Sequence, residues 1–363
     1  MSTQSPFPHT GSLITLAVMI FAAISNTLAL IVISRARLEK KNRSKENVPA
    51  FFVKSMVTVD LLSALLTIFE KGLNFTFGDT VIICNFLYAS LLTMFFASGF
   101  INILMSLERS IAFCAPFLYL KSMTVRRAKK ATFLLITVAT VIGILPVMGV
   151  GSYVRFSVEV DASRGNVSRP KCGMPTGTRS EPGEIPFIVI FFSTGAAMFL
   201  ILHVCNGVVL WQLMKLTRAK PVMSSTSYGD KGLRASAKLT RNPEIRLAQM
   251  VSVVSVIYTI SSLPFFIQRL LKALDVPQPD WYLYVVIFLL VSNHVIDPFV
   301  FVFMKQQSRD ALRDLCMEGI CCKKWRTHPG VEANDRGSSG TEGQKPTRQE
   351  AETSSARSHQ PHA

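Results

Sequence analysis

Charged residues are scarce in this chain, and acidic residues are the scarcer kind. Only 17% of the 363 residues are charged, and 23 Asp and Glu stand against 39 Lys and Arg, so the formal net charge is +16. An average soluble domain contains about 25% charged residues. The sequence also lacks a His-Glu-x-x-His helix, a nucleophile elbow and a Gly-rich phosphate loop, and its six His are scattered. These gaps argue against an enzyme and indicate no cofactor.

Hydrophobic residues are abundant instead: they make up 49% of the chain and include 25 Phe. So many apolar side chains need a packed or lipid environment, which excludes a collagen-like or wholly disordered chain. They lie in seven blocks with few charges, each long enough to cross a bilayer as a helix of about 20 residues. The blocks cover residues 12–34, 48–69, 81–107, 131–151, 185–214, 247–267 and 281–304.

The positions of Lys and Arg between these blocks indicate the orientation of the chain. The gaps after blocks one, three and five and the segment after block seven are basic, whereas the first eleven residues contain no Lys or Arg. Because Lys and Arg accumulate on the cytosolic side, we expect the amino terminus outside the plasma membrane and the carboxyl terminus in the cytosol. The same alternation argues against a nucleic-acid partner, which would need the basic residues on one surface.

We therefore predict an all-α membrane protein with a seven-helix bundle. Residues 1–11 form the extracellular amino terminus, 12–304 the membrane domain, 305–322 a short amphipathic cytosolic helix and 323–363 a disordered tail rich in small and polar residues. Block one lacks the basic leader of a signal peptide, so we expect it to remain as a helix. The absence of a visible repeat disfavours a transporter built from repeated halves, which is the distant alternative.

Two cysteines lie on the predicted outer side, Cys84 at the mouth of block three and Cys172 in the loop after block four. Because that side is oxidising, we predict a disulfide between them; two free thiols are the alternative. Asn74 and Asn166 match the Asn-x-Ser/Thr pattern on the same side of the membrane. We expect Asn166, in the middle of its loop, to be the better glycan acceptor.

Three further cysteines lie in the second half of the predicted amphipathic helix: Cys316, Cys321 and Cys322. Thiols just inside the membrane are typical sites of palmitoylation, which would hold this segment against membrane lipid. Unmodified reduced thiols are the alternative.

Two carboxylates, Asp60 and Asp297, lie deep within predicted spans, where an ionisable group is costly and indicates function. Asn26, Ser98, Asn102 and Asn293 are the polar residues best placed to join them. Such oxygen ligands could hold a small cation such as sodium, or they could hold protons or water. The alternative is a set of hydrogen bonds that only link the helices.

A Glu–Arg pair, Glu108 and Arg109, stands at the cytosolic end of the third span, and a second acid, Glu244, begins the sixth span on the same side. An Arg that can pair with either Glu can act as a bistable latch, and its opening would expose a cytosolic cavity. The alternative is a pair of side chains that simply reach for the membrane interface.

Together these features resemble the rhodopsin-like family of G protein-coupled receptors. The match runs from residue 12 to residue 322 and includes Pro264 and the run Asp297-Pro298-x-x-Phe301. Within that family, the stretches SLERSIAFCAPFLYLKSMTVRRAKKA and SNHVIDPFVFVFMK are similar to the third-span exit and the seventh span of prostanoid receptors, most like the prostaglandin E type. A divergent member of that branch, such as an invertebrate one, fits the pattern.

The resemblance implies a receptor that binds a small extracellular lipid-like ligand and activates heterotrimeric G proteins, with signalling through cyclic AMP or calcium. It also implies arrestin and receptor kinases as partners. The expected coupling switch comprises Glu108, Arg109, Glu244, Asp297, Pro298 and Phe301.

One departure from the prostanoid pattern concerns the ligand. Prostanoid receptors hold the ligand carboxylate with an Arg in the outer half of the seventh span, where this chain has Phe288. A buried carboxylate needs a partner, so an acidic ligand would require Arg269, Arg155 or Lys71 near the outer mouth. The alternatives are that these side chains reach headgroups or water, and that the chain is an orphan receptor for a non-acidic ligand.

Overall fold

The computed structural model describes residues 7–38, 47–78, 80–161, 165–175, 183–218 and 243–320. Within these ranges the chain forms nine helices and one two-stranded sheet. The helices are α1 (Phe7–Leu38), α2 (Val48–Phe77), α3 (Val81–Cys114), α4 (Pro116–Ser122), α5 (Val125–Ile144), α6 (Glu184–Arg218), α7 (Pro243–Ala273), α8 (Asp280–Met304) and α9 (Gln306–Ile320). The strands β1 (Val154–Asp161) and β2 (Gly165–Cys172) lie between α5 and α6 in the sequence.

Six helices are long and apolar enough to cross a membrane by length and composition, namely α1, α2, α3, α6, α7 and α8. They correspond to every predicted span except the fourth. That span corresponds to α5, which packs against α3. A bundle of seven membrane helices, as predicted, is consistent with this arrangement.

The fourth helix of the bundle, α5, is displaced along the sequence from its predicted span at residues 131–151. It begins at Val125, where basic residues form its first two turns. Such side chains can extend from a membrane helix to the interface. The helix can therefore begin several residues before the apolar block does. It ends at Ile144, two residues before Pro146. Leu145 still has helical backbone angles (φ −48°, ψ −46°), but Pro146 has no N–H group to continue the helical hydrogen bonds, so α5 ends here.

Local capping residues set other helix ends. The hydroxyl oxygens of Thr80 and Thr124 accept hydrogen bonds from the backbone N–H groups of Ile83 and Arg127, each at 3.4 Å, and thereby start α3 and α5. Gly78, with φ of 67°, ends α2. Because these signals lie outside the apolar blocks, the helix ends do not coincide with the block ends: α2 and α3 extend past theirs, whereas α5 begins and ends earlier.

The third helix, α3, is central to the bundle and contacts α2, α5, α6 and α7. Small residues allow close approach between helices. A Cβ at Gly143 of α5 would lie 2.6 Å from the carbonyl oxygen of Ala89 on α3, so only glycine fits there. On the other side of the bundle, α1 packs against α2 and α8.

The outer loop contains a β-hairpin, which the prediction of an all-α protein did not include. Strands β1 and β2 pair antiparallel, from Val154 opposite Cys172 to Asp161 opposite Gly165. The stretch VRFSVEVD alternates apolar and polar residues, as a half-buried strand does. The membrane domain is helical as predicted, and the hairpin is an addition on its outer side.

By its internal contacts the chain divides after Gly319. The predicted tail over 323–363, together with Cys321 and Cys322, lies outside the described residues. The predicted amphipathic segment corresponds to α9, within which Ser308 and Ala311 are buried.

Candidate functional site

A cavity opens beside the start of α6, below the hairpin. Its lining residues are Met174, Pro175, Phe187, Ile188, Phe191, Phe192 and Arg269. The walls are aromatic and aliphatic, and Arg269 supplies the positive charge. The guanidinium carbon of Arg269 lies 5.1 Å from the ring centroid of Phe265, so the charge is presented next to an aromatic surface. The empty volume of the cavity is about 240 Å³, below the roughly 300–1,000 Å³ of typical small-molecule sites, so its walls would have to move apart to admit a ligand with an apolar body and an acidic group.

The disulfide between Cys84 and Cys172 holds the loop that covers this cavity. The two Cα atoms are 5.2 Å apart, and Cys84 is completely buried. The bond links the first turn of α3 to Cys172 at the end of β2. Met174 and Pro175, which line the cavity, follow Cys172 closely in the chain. The predicted disulfide is thus confirmed.

Aromatic rings form the floor of the cavity and connect α3, α6 and α7. Phe191 of α6 stacks on Phe266 of α7 with ring centroids 4.9 Å apart. Phe95 of α3 contacts Phe265 at 5.4 Å. A Cβ at Gly195 of α6 would collide with the ring of Phe266. Sequence reasoning missed this contact, because a glycine in a helix gives no signal of what approaches it.

The other residues predicted to bind the ligand lie elsewhere or are not described. Lys71 forms an ion pair with Glu70 at 3.5 Å, on the outer end of α2. Phe288 is 54% exposed and is not among the described residues that line the cavity. Arg155 is in β1, and its side chain lies outside the described residues. Arg269 is the predicted candidate that the structure places at the cavity.

A second polar site lies within the bundle and centres on Asp60, which is fully buried. Its Oδ1 lies 2.9 Å from Nδ1 of His294 on α8. The other ring nitrogen, Nε2, lies 3.3 Å from the hydroxyl oxygen of Ser63 on α2. Sequence reasoning missed His294, although the residue stands next to Asn293 and three positions before Asp297. A histidine at membrane depth was the available signal.

Other predicted members of this site come from α1 and α8. The amide of Asn26 donates to the backbone carbonyl of His294 at 2.8 Å. The amide of Asn293 donates to Oδ2 of Asp297 at 3.3 Å. We call the set of Asn26, Asp60, Asn293, His294 and Asp297 the intramembrane cluster.

Ser98 is also buried, but its hydroxyl donates to the sulfur of Met56 at 3.7 Å. Its hydroxyl is therefore directed to Met56 and not to the carboxylates of Asp60 and Asp297. On the opposite side of the cluster, Ser261 of α7 donates to Oδ1 of Asn293 at 3.3 Å, so α7 is linked to α8 at this depth. The intramembrane cluster thus connects α1, α2, α7 and α8.

Two carboxylate oxygens of the intramembrane cluster already contact neighbouring side chains. Oδ1 of Asp60 lies against the ring of His294, and Oδ2 of Asp297 accepts from the amide of Asn293. The oxygens that accept no hydrogen bond from a described residue are Oδ2 of Asp60, Oδ1 of Asp297 and Oδ1 of Asn26.

Near the carboxyl-terminal end of α3, which is the predicted cytosolic end, Glu108 and Arg109 form a buried ion pair, and each residue is only 2% exposed. Nε of Arg109 donates to Oε2 of Glu108 at 2.6 Å. The hydroxyl of Tyr119 on α4 donates to Oε1 of Glu108 at 2.5 Å. Tyr119 was not predicted, because the fold of the short helix α4 brings it back over α3. The side chain of Glu244, the second residue of α7, lies outside the described residues.

Hydroxyl contacts hold the inner halves of α3, α6 and α7 together above this pair. The hydroxyls of Ser106 and Ser255 are 3.2 Å apart, and the amide of Asn206 donates to Ser106 at 3.2 Å. Ser110, the residue after Arg109, donates to the carbonyl of Cys205 at 2.8 Å. In α8, Pro298 lies inside the helix and Phe301 is 1% exposed, so both belong to the packed inner half.

The predicted modification sites have distinct placements. Asn74 lies within α2, and its Oδ1 is buried. Asn166 lies in β2, opposite Val160. Cys316 lies in α9, with its side chain outside the described residues.

Comparison with known proteins places these sites in a family context. The family profile described as "7 transmembrane receptor (rhodopsin family)" matches residues 25–301. The mesotocin receptor of Rhinella marina is 25% identical over 77% of this chain and 71% of its own length. The oxytocin receptor of Ovis aries is 22% identical over 85% of this chain and 78% of its own length. The prostaglandin E2 receptor EP2 subtype of Canis lupus familiaris is 21% identical over 60% of this chain and 56% of its own length.

Proposed function

Because the chain belongs to the rhodopsin-like family of seven-transmembrane receptors, we propose that it binds a small lipid acid, such as a prostaglandin of the E type, at its extracellular side. Binding activates a heterotrimeric G protein on the cytosolic side of the plasma membrane, and cyclic AMP or calcium carries the signal. Arrestin and receptor kinases act on the active receptor.

The outer cavity is the observation that carries this proposal. Phe187, Phe191 and Phe192 offer an apolar surface to a hydrocarbon chain, and Arg269 offers a fork of donors to a carboxylate. An acid buried against such walls needs a cation, because an unpaired buried charge costs several kcal/mol. Arg269 thus replaces the seventh-span Arg that the prostanoid pattern would place at position 288.

A second candidate is a receptor for a neutral or non-lipid ligand. Phe288 favours it, because the position that holds the ligand acid in prostanoid receptors carries no charge here. The relatives are named for mesotocin, oxytocin and prostaglandin E2, so the resemblance alone does not fix the ligand.

Signal transfer follows from a shift in population between two states of the bundle. A ligand in the cavity contacts Phe191, which stacks on Phe266 two residues beyond Pro264 in α7. A ligand that binds better when α7 has moved shifts the receptor toward that state, and only this difference in affinity can drive the change. At the inner end, movement of α7 away from α3 opens the space beside Arg109 to the G protein.

The test uses cells that express the full chain and a panel of prostaglandins and other lipid acids, each paired with its methyl ester. We expect a cyclic AMP or calcium response to an acid, with a weaker response to its ester. Arg269→Gln should reduce the potency of the acid about tenfold or more and leave the ester nearly unchanged. Lys71→Gln is the control, because Lys71 lies on α2 and is not among the described residues that line the cavity.

An unchanged preference for the acid in Arg269→Gln would contradict the role of Arg269. Equal responses to acid and ester in the parent, or a response to neutral compounds alone, would favour the second candidate. Either result leaves membership of the receptor family intact.

A further inference from the structure

His294 is a buried histidine whose two ring nitrogens both contact α2. Its side chain is 11% exposed, Nδ1 lies 2.9 Å from Oδ1 of Asp60, and Nε2 lies 3.3 Å from the hydroxyl of Ser63. With Asp60 ionised, its oxygen can only accept, so Nδ1–H donates to the carboxylate and Nε2 is left to accept from the hydroxyl of Ser63. Asp60 and Ser63 are three residues apart and so share one face of α2. The ring therefore fits its surroundings without a bound ion.

The position of the ring is fixed from a second side as well. The backbone carbonyl of His294 accepts a hydrogen bond from Asn26 of α1 at 2.8 Å. Asn26 also donates to the carbonyl of Ala22, so its own amide is held in place. Asn26 thus holds the backbone of His294, and the imidazole itself can leave Asp60 only by losing its contacts with Asp60 and Ser63.

We propose that His294 takes the place that a sodium ion would fill beside Asp60, so that the intramembrane cluster of this receptor excludes sodium. The N–H group of the ring carries a partial positive charge and sits on the carboxylate oxygen that a cation would need. Among the residues the structure describes, no other basic side chain contacts Asp60. His294 is thus a specificity-determining residue, since it selects an internal donor over a dissolved cation.

Removal of the ring should convert the intramembrane cluster into a sodium site. His294→Ser would free Oδ1 of Asp60 and add a hydroxyl oxygen. The intramembrane cluster would also keep three oxygens that accept no hydrogen bond from a described residue, one each on Asp60, Asp297 and Asn26. Two carboxylates with added amide and hydroxyl oxygens are the ligands that a hard cation prefers.

The experiment measures thermal unfolding of the full chain in lipid nanodiscs without ligand. Each variant is heated in about 150 mM sodium chloride and in choline chloride of equal strength. The parent should unfold within about 1 °C in the two salts, whereas His294→Ser should unfold about 2–4 °C higher in sodium. The gain should saturate with sodium concentration and should be smaller in potassium.

Two further variants isolate the cause. His203→Ser removes an exposed histidine of α6 and should show no sodium dependence. Asp60→Asn combined with His294→Ser should lose the gained dependence, because the charged ligand is gone. If His294→Ser does not fold, His294→Asn keeps more of the volume, supplies an amide oxygen and should show the same gain.

Sodium stabilisation of the parent equal to that of His294→Ser would overturn the proposal. So would folded His294→Ser and His294→Asn variants that unfold alike in both salts. The measurement needs neither agonist nor G protein, so either result leaves the proposed function untouched.

Discussion

The ring of Phe266 on α7 occupies the space that a side chain at Gly195 on α6 would fill. A Cβ at Gly195 would lie 2.6 Å from Cζ of Phe266 and would collide with a second ring carbon. The same ring stacks on Phe191 at 4.9 Å. The contact between the wall of the outer cavity and α7 therefore depends on the absence of one side chain.

Gly195→Ala should weaken this contact. The added methyl displaces Phe266, and overpacking of this kind costs about 1–3 kcal/mol. We expect a lower unfolding temperature of the purified receptor and weaker agonist potency in cells. Gly207→Ala on the same helix is the matched control, because no atom outside its own turn lies within 4 Å of the added Cβ. Equal behaviour of the two variants would show that the ring moves freely.

Loss of the disulfide should expose the outer cavity. Cys84→Ser or Cys172→Ser removes a cross-link whose loss typically costs about 2–5 kcal/mol in small domains. Each variant should show reduced surface expression or agonist binding, measured by flow cytometry and by dose response. The double variant should be no worse than either single one, since both remove the same bond. Single variants that traffic and respond like the parent would mean that the hairpin holds its position without the bond.

Tyr119→Phe should raise basal signalling. The change removes one hydroxyl that donates to Glu108 and keeps the ring, so the Glu108–Arg109 pair loses a partly buried hydrogen bond to a charged group, worth at most about 1.5–3 kcal/mol. Cyclic AMP and calcium without ligand, at matched surface level, are the readouts. Tyr284→Phe, at an exposed tyrosine of α8, is the control. Basal activity at the parent level would assign Tyr119 to packing alone.

Glu244→Ala tests the second half of the predicted latch. If Arg109 shares its charge between Glu108 and Glu244, removal of Glu244 should raise basal signalling at equal surface expression. An unchanged basal level would indicate that Glu108 and Tyr119 hold Arg109 by themselves. The combination with Tyr119→Phe separates the two cases, because independent restraints add and a shared one does not.

The positions of the membrane helices could be predicted from the sequence to within several residues, because burial in lipid requires long apolar runs. The disulfide was also predictable, since only Cys84 and Cys172 fell on the oxidising side. Helix ends were less predictable. A threonine cap starts α5 and Pro146 ends it, and neither residue is detected when helices are located by their apolar residues alone. The hairpin was readable from the alternation in VRFSVEVD but was hidden by the strength of the helical signal around it.

The sequence by itself determined that the chain crosses a membrane and which carboxylates lie within its apolar helices, and it predicts the orientation of the chain. These properties depend on composition and on local residue types, which need no knowledge of contacts. The tertiary structure decided that His294 meets Asp60, that Tyr119 caps Glu108 and that Phe266 lies on Gly195. Each of these pairs joins residues from different helices, and the pairing depends on how the helices rotate and pack. Local sequence does not encode that rotation, because several packings of the same amphipathic helices bury similar apolar area.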